Sequence, residues 1–302
     1  MNEDRPVPAP FRKAVAGRLT SEQQELLRRA FESETDWRRR ILLSPPGSKD
    51  RAELMRQMYE DIHSWSIQID QAFGRDPYFA AVDPSEKKAR SLARLCLKGR
   101  CLEVGAGGGA LAWALGLDGW IVEGVDLVWG MDWTKIMEAT QGRVTFHLGD
   151  FTTMNSLGGN WDLIIMDESL EHIPPGDYEM VLSKAHRLLK KEGWICVVFP
   201  NALTGPLDVS QYFLPRGAPA QAGHFNERSL KALARDLTRA GFENMVTVAY
   251  GGLPAGRRFG WSPLWYAKAR LAEAFLAVLP PRLRMKGLFP FLVPSVIAAR
   301  KR

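Results

Sequence analysis

Cysteine is scarce in this chain: three residues in 302, at Cys96, Cys101 and Cys196. They are odd in number and show no C-x-x-C or Cys/His ligand spacing, which argues against a disulfide or zinc framework and for a reducing compartment. No run of about 18 apolar residues exists, so no transmembrane helix is expected. The opening MNEDRPVPAPFRK lacks the apolar core of a signal peptide, and a cytoplasmic protein is the expectation. Internal repeats are absent. Acid is nearly missing from residues 253–302, where Glu273 stands against ten bases; that stretch carries +9 and the rest of the chain −3. The overall charge of +6 is therefore a local feature, and nucleic-acid binding does not follow from it. What is present, 46% hydrophobic and 25% charged residues, is globular in kind.

The stretch around which the chain is organised is Cys101 to Leu115, CLEVGAGGGALAWAL. It reads as a short apolar strand holding one acid, Glu103, then a turn with Gly105, Gly107, Gly108 and Gly109, then a helix. Glycine lets the backbone bend sharply and lets a ligand approach the main chain without meeting a Cβ. The helix start offers unpaired N–H groups and a partial positive charge to whatever rests on the turn. The pattern is that of a nucleotide-cofactor turn.

Residues 1–17 are rich in proline and charge and read as a loose tail. Ser21 is the expected cap of a helix over 22–42. A second helix, over 50–73, repeats Leu54, Met58, Ile62, Trp65 and Ile69 at three- and four-residue steps. These helices precede the first strand, so they form either a lid or packing on a sheet edge. Packing suits the first, whereas Tyr59 and Trp65 of the second can line a pocket. A helix is expected over 84–97, then strands at 101–104, 120–126, 143–148, 161–166 and 194–199. Further helices are expected over 178–189, from an Asn226 cap to about 240, and over 263–279. Residues 190–193 read as a turn, 202–224 as a long loop, and 243–250 and 295–299 as the last strands, antiparallel to each other. Alternating strand and helix means βαβ units and a doubly wound, mostly parallel α/β sheet, with its ligand beyond the strand C-termini.

Gly105, Gly107 and Ala110 fit G-x-G-x-x-G/A, and Asp126, twenty-one residues after Gly105, fits the ribose acid of a dinucleotide fold. The turn alone does not separate a nicotinamide dinucleotide from S-adenosylmethionine. However, roughly a hundred residues precede the first strand, and neither a second mononucleotide-binding half nor a hydride-handling group is visible. From 97 to about 242 the chain resembles the class I S-adenosylmethionine-dependent methyltransferases, especially the small-molecule branch related to the ubiquinone-biosynthesis enzymes. The matches are LEVGAGGG at 102–109, GVD at 124–126, GDF at 149–151, WDLIIMDESLEHI at 161–173, LLKKEGWICVVFPN at 188–201 and HFNERSLKALARDLTRAGF at 224–242.

The resemblance implies a Rossmann-like sheet with an antiparallel final strand, N-terminal helices as a cap (1–84), and a methyltransferase domain (85–302) with a helical insertion at 261–293. It implies S-adenosylmethionine as cofactor. Asp126 would take the ribose hydroxyls, Asp150 the adenine amino group, and Phe151 the adenine ring. Glu103 would order the turn and the methionine end, Gly105 and Gly107 would bring backbone to the cofactor, and Asp167 belongs to the same wall. His172, just past the fourth strand, is the first candidate base and His224 the second; His63, His147 and His186 read as structural. Asp167, Glu168 and Glu171 mark out no ligand set, so no metal is expected. The basic, aromatic stretch 261–293 reads as a cap over an acceptor pocket, with a peripheral membrane contact as its rival. A small or lipid-like acceptor suits such a pocket. A nicotinamide oxidoreductase and a non-catalytic cofactor-binding module are the alternatives.

Overall fold

The computed structural model describes residues 11–12, 17–75, 82–130, 132–248, 260–284 and 293–302. Two long helices, α1 (Ser21–Leu43) and α2 (Lys49–Ala72), lead into α3 (Val82–Leu92). The sheet core follows: β1 (Arg100–Val104), α4 (Ala110–Leu117), β2 (Ile121–Asp126), α5 (Trp133–Ala139), β3 (Val144–Leu148), β4 (Trp161–Asp167), α6 (Pro175–Leu188) and β5 (Leu189–Val198). The chain ends with α7 (Leu230–Arg239), β6 (Phe242–Val248), β7 (Trp261–Ser262), α8 (Pro263–Ala277), the short α9 (Pro281–Arg284) and β8 (Val296–Lys301). Eight strands form one sheet in the order β3-β2-β1-β4-β5-β8-β6-β7. β1 to β5 pair in parallel, and β8 inserts antiparallel between β5 and β6. The doubly wound architecture with an antiparallel final strand is as the sequence pattern anticipates. Among the described residues no helix is long and apolar enough to cross a membrane.

The two-residue period of the strands sorts their side chains between two cores. Leu102, Val104, Ile164, Met166, Ile195 and Val197 face α6 and α7. Cys101, Leu163, Ile165, Cys196 and Val198 face α3, α4 and α5. All three cysteines are free thiols. By the same alternation Glu103 and Asp167 fall on the α3 side of the sheet, at the C-terminal ends of the two central strands β1 and β4.

Several boundaries differ from the sequence reading. Thr20, not Ser21, caps α1, because its hydroxyl and the Gln23 side chain close a reciprocal capping box. Ser229, not Asn226, caps α7; its side chain accepts from the Ala232 amide. Residues 190–193 lie within β5, and a register shift between Trp161 and Leu163 absorbs them. Helix α5 was not anticipated, since its seven residues are too few to show a period. The expected tail lies outside the described residues except for 11, 12 and 17, as do Tyr250 and 285–292.

The stretch 261–284 corrects the reading of that segment as a pocket wall. Helix α8 packs beside β6 and α7, and its buried Glu273 accepts from the amides of Leu230 (2.6 Å) and Lys231 (2.8 Å) at the α7 N-terminus and from Asn201 Nδ2 (3.0 Å). That helix start needs an acceptor, and α8 brings one. The part of a wall over the strand ends is taken by α2.

Candidate active site

A cavity of about 690 Å³ opens beyond the C-terminal ends of β1, β2 and β4. The glycine turn forms its floor. Gly105 and Ala106 amides donate to Val125 O (2.8 and 3.1 Å), closing the turn onto β2. Gly105 has φ +78° and a Cβ there would sit 2.4 Å from Ser169 Cβ, so no other residue fits. Gly107 has open space where a Cβ would be, which leaves its backbone accessible to a ligand. Trp133 Nε1 donates to Gly107 O (2.8 Å), while its ring stacks on Phe146 at 4.5 Å. Two aromatic rings thus brace the turn from below.

Asp126, at the end of β2, accepts from the Gly107 amide (2.8 Å) and the Val128 amide (3.2 Å). Burial raises its pKa, and these backbone donors oppose the rise. Glu103 is 3% exposed, and burial, then the charge of Asp167, hold its pKa well above the usual carboxylate range. Among the described residues its Oε2 has no hydrogen-bond donor, and neither has Oδ1 of Asp167. The other Asp167 oxygen takes Lys88 Nζ of α3 at 2.6 Å. The strand ends therefore present two buried carboxylate oxygens that no group among the described residues satisfies, a costly arrangement unless a cationic or donor ligand covers them.

Asp150 lines the cavity and accepts from the Thr152 amide at 2.7 Å. Phe151 also lines it but is 5% exposed and belongs to the core, with Lys184 Nζ 5.0 Å above its ring and bonded to its carbonyl at 2.5 Å. Only a small part of that ring faces a ligand.

At the opposite wall α2 contributes Met55, Tyr59 and His63. Tyr59 lies edge-on to the His172 ring at 5.5 Å, and His172 lies edge-on to His224 at 4.7 Å. His172 Nδ1 lies 3.1 Å from Gly223 O. A carbonyl only accepts, so the proton is assigned to Nδ1 and the Nε2 lone pair is free. Burial, then the neighbouring His224, push the His172 pKa down to about 3. His224 Nδ1 lies 2.8 Å from Glu227 Oε1. Burial works to lower its pKa, but Glu227, Asp208 and Glu171 together hold it above the ordinary value. Behind both rings Glu171 is 3% exposed, and burial pushes its carboxyl up to about 8.

Folding of the 199–229 stretch creates this cluster. The amides of Phe225 (2.7 Å) and Asn226 (2.8 Å) donate to Glu171 O, and Asn226 Nδ2 donates to Ile173 O. Glu34 of α1 accepts from the Gly223 amide at 2.9 Å. The loop is thereby held between α1 and the end of β4, and it carries His224 to His172.

A profile of a methyltransferase domain family matches residues 75–247, more than half of the chain. The chain belongs to this methyltransferase domain family. A search of curated proteins finds no match. Among solved structures, the Burkholderia thailandensis 1,6-didemethyltoxoflavin N1-methyltransferase, bound to 1,6-didemethyltoxoflavin and S-adenosylhomocysteine, superposes with a TM-score of 0.53 at 20% identity, covering 85% of this chain and 92% of that one. An Archaeoglobus fulgidus S-adenosylmethionine-dependent methyltransferase gives 0.49 at 16%, covering 78% and 99%. The Haemonchus contortus phosphoethanolamine N-methyltransferase 2, with phosphomonomethylethanolamine and S-adenosylhomocysteine, gives 0.49 at 17%, covering 82% and 59%. At these identities the first likeness speaks for the fold.

Of the residues singled out in this methyltransferase from sequence, Glu103, Gly105, Gly107, Asp126, Asp150, Phe151, Asp167 and His172 line one cavity. His224 does not line it and stands one ring behind. Tyr59 faces it as expected; Trp65 is not among its lining residues. His63 is corrected from a structural residue to a cavity residue. His147 pairs with Glu123 (3.0 Å) and His186 lies edge-on to Phe242 (5.0 Å), both away from the site. Sequence reasoning missed Lys88 and Trp133. A lysine on the sheet-facing side of a helix, and a tryptophan just after the strand-end acid, were the available signals.

Proposed function

We propose that the chain transfers a methyl group from S-adenosylmethionine to a small or lipid-like metabolite. The observation that carries this reading is the pair of orphaned, buried carboxylate oxygens, Glu103 Oε2 and Asp167 Oδ1, beside an open glycine turn and a strand-end aspartate. A ligand with an ammonium and a sulfonium group supplies the positive charge that these oxygens lack. A dinucleotide would instead bring two phosphate charges into a cavity walled by Glu103, Asp126, Asp150 and Asp167. Bound there, the cofactor supplies an electrophilic methyl group on sulfur.

Glu103 and Asp167 hold the methionine end, Asp126 the ribose hydroxyls and Asp150 the adenine edge. The gly turn aligns the cofactor, and α2 closes the far wall, so the residues act chiefly by positioning. His172 faces the acceptor with a neutral Nε2. So weak a base orients an acceptor hydroxyl and receives its proton only as the methyl arrives. His224 sets the position of His172. Residues 1–84 serve as the cap and 85–302 as the cofactor-binding domain, consistent with Tyr59 in the cavity wall. The six sequence matches favour the ubiquinone-biosynthesis-type branch, and the three free cysteines favour a reducing, cytoplasmic setting. The outward side of α8, with exposed Leu264, Leu271, Phe275 and Val278 beside Lys268, is suited to an anionic lipid surface, and sedimentation with anionic vesicles tests this contact.

Calorimetry with S-adenosylhomocysteine and with NAD tests the cofactor. Binding of the first alone is expected, and binding of NAD alone would overturn the reading. His172→Ala should lower turnover on the order of 10²-fold with cofactor affinity little changed; normal turnover would leave catalysis to positioning alone.

A further inference from the structure

We propose that the cleft between α7 and α8 binds the phosphate group of an organic phosphate, at a site separate from the methyl-transfer cavity. The cleft has a volume of about 390 Å³ and shares no lining residue with that cavity. The inference goes beyond the methyltransferase reading and does not rest on it. Three features point to an anion rather than to a plain solvated face.

The first is the chemistry of the lining. Its polar side chains are Ser229, Lys231, Arg235 and Thr238 from α7 and its cap, and Tyr266 and Arg270 from α8; no carboxylate is among them. Ser229 Oγ accepts from the Ala232 amide (3.2 Å) and Tyr266 OH accepts from Arg270 Nη1 (2.9 Å), so each of these hydroxyls keeps its own proton to donate. The second is placement against helix electrostatics. Lys231 stands in the first turn of α7, where the dipole favours an acid. Arg235 follows four residues later, a like-charge spacing that weakens a helix. An anion held between the two removes both costs. The third is the lack of counter-charge. Among the described residues neither Lys231 nor Arg270 has an ion-pair partner. Arg235 reaches only Asp236, at 3.9 Å, which Arg228 (3.5 Å) and Arg239 (4.0 Å) share. The buried Glu273 behind the α7 start is taken by two amides and Asn201. Those amides are therefore not the anion's donors, and side chains make the site.

A lone carboxylate carries one charge against three bases. A phosphate monoester carries about −1.5 to −2 and offers three acceptor oxygens. Arg270, laid over the Tyr266 ring at 5.8 Å, presents a planar fork that meets two of those oxygens. The rest of the cleft takes the organic part of the ester. The phosphate has two sources, a soluble ester or a lipid headgroup; exposed Leu264, Leu271, Phe275 and Val278 on the same helix α8 suit the second.

The test uses the full chain at constant ionic strength. Glycerol phosphate is titrated by calorimetry and phosphorus NMR line broadening, with acetate as the carboxylate control. Vesicles of phosphatidylglycerol and of phosphatidylcholine are compared by sedimentation. Saturable binding is expected for glycerol phosphate, for phosphatidylglycerol vesicles, or for both. Lys231→Gln with Arg270→Gln should weaken it by roughly tenfold or more. Arg187→Gln with Arg239→Gln, an equal loss of charge outside the cleft, should change it less than about twofold. Arg270→Lys, which keeps the charge and loses the fork, should weaken it several-fold. Binding to phosphatidylglycerol vesicles alone, lost in the cleft pair and kept in the outer pair, assigns the phosphate to a lipid headgroup. No saturable binding of either probe, equal losses in the two variant pairs, or equal affinity for acetate would overturn the proposal. S-adenosylhomocysteine binding, measured on every variant, shows that each one is folded. Its absence in the wild-type chain would overturn the cofactor reading and leave this site standing.

Discussion

Glu103 occupies a position that strand alternation would otherwise give to an apolar side chain. Its neighbours in the same row, Cys101 on β1 and Leu163 and Ile165 on β4, are wholly buried. The carboxyl is therefore desolvated and only partly satisfied, which raises its pKa from an unfolded value of 4.5. A raised folded-state pKa contributes stability that is complete below the unfolded value and is lost as pH rises through the folded one. Glu103→Gln should accordingly stabilise the ligand-free chain near about pH 8 by about 1–3 kcal/mol and flatten its pH dependence. Denaturant titrations at several pH values check this, and a variant less stable than wild type at alkaline pH would contradict it. Asp126 differs, since its oxygens already accept from two turn amides. Asp126→Ala should cost about 2 kcal/mol of S-adenosylhomocysteine binding, or roughly thirtyfold in Kd, measured by calorimetry.

At the scale of elements, the decisive one is α2. It is tied to α6 by Arg51 and Asp177, whose charged atoms lie 3.2 Å apart and whose side chains are 5% and 6% exposed. Asp177 also accepts from the Gly47 amide at 2.7 Å, and Arg51 is bonded to Ser44, so the α1–α2 corner and the α2 start share one buried pair. Removing one partner leaves the other charge buried and uncompensated. Arg51→Met should destabilise the chain by about 3–5 kcal/mol, and the double variant with Asp177→Leu should recover most of that loss. Equal losses in the single and double variants would show that packing, not charge, holds the corner. The sequence displayed α2 as an amphipathic helix. It did not display what the apolar face meets, because Met55 and Met58 bury against Ile41 of the preceding helix and against Phe225, which lies 167 residues after Met58.

The whole molecule couples these parts to the ligand. Cap, turn and strand ends together line the cavity, which forms only when the chain folds, so a ligand there is bound by the folded chain and not by the unfolded one. S-adenosylhomocysteine at a hundred times its Kd should add about 2.7 kcal/mol of stability, seen as a rise in Tm, and NAD at the same concentration should add none. A Tm unmoved by excess S-adenosylhomocysteine would show that the folded chain does not bind it.

By itself the sequence determined the alternation of strands and helices and the glycine turn with its strand-end acid, while the antiparallel final strand was implied by the family resemblance. The first two are written in short windows: apolar runs with a period of two or 3.6, a glycine at positive φ, a fixed spacing from Gly105 to Asp126. Other features were decided by tertiary structure alone. Residues 261–284 carry the aromatic and basic composition of a pocket wall, yet they bury against α7 and β6 because the α7 N-terminus needs the Glu273 carboxylate. Asp167 gained Lys88 from a helix 79 residues earlier and kept one oxygen bare. His172 and His224, 52 residues apart in sequence, became ring neighbours because two amides of the long loop bind one carbonyl of Glu171. Whether a buried polar atom is satisfied depends on donors brought from distant segments, and no window of the sequence contains them.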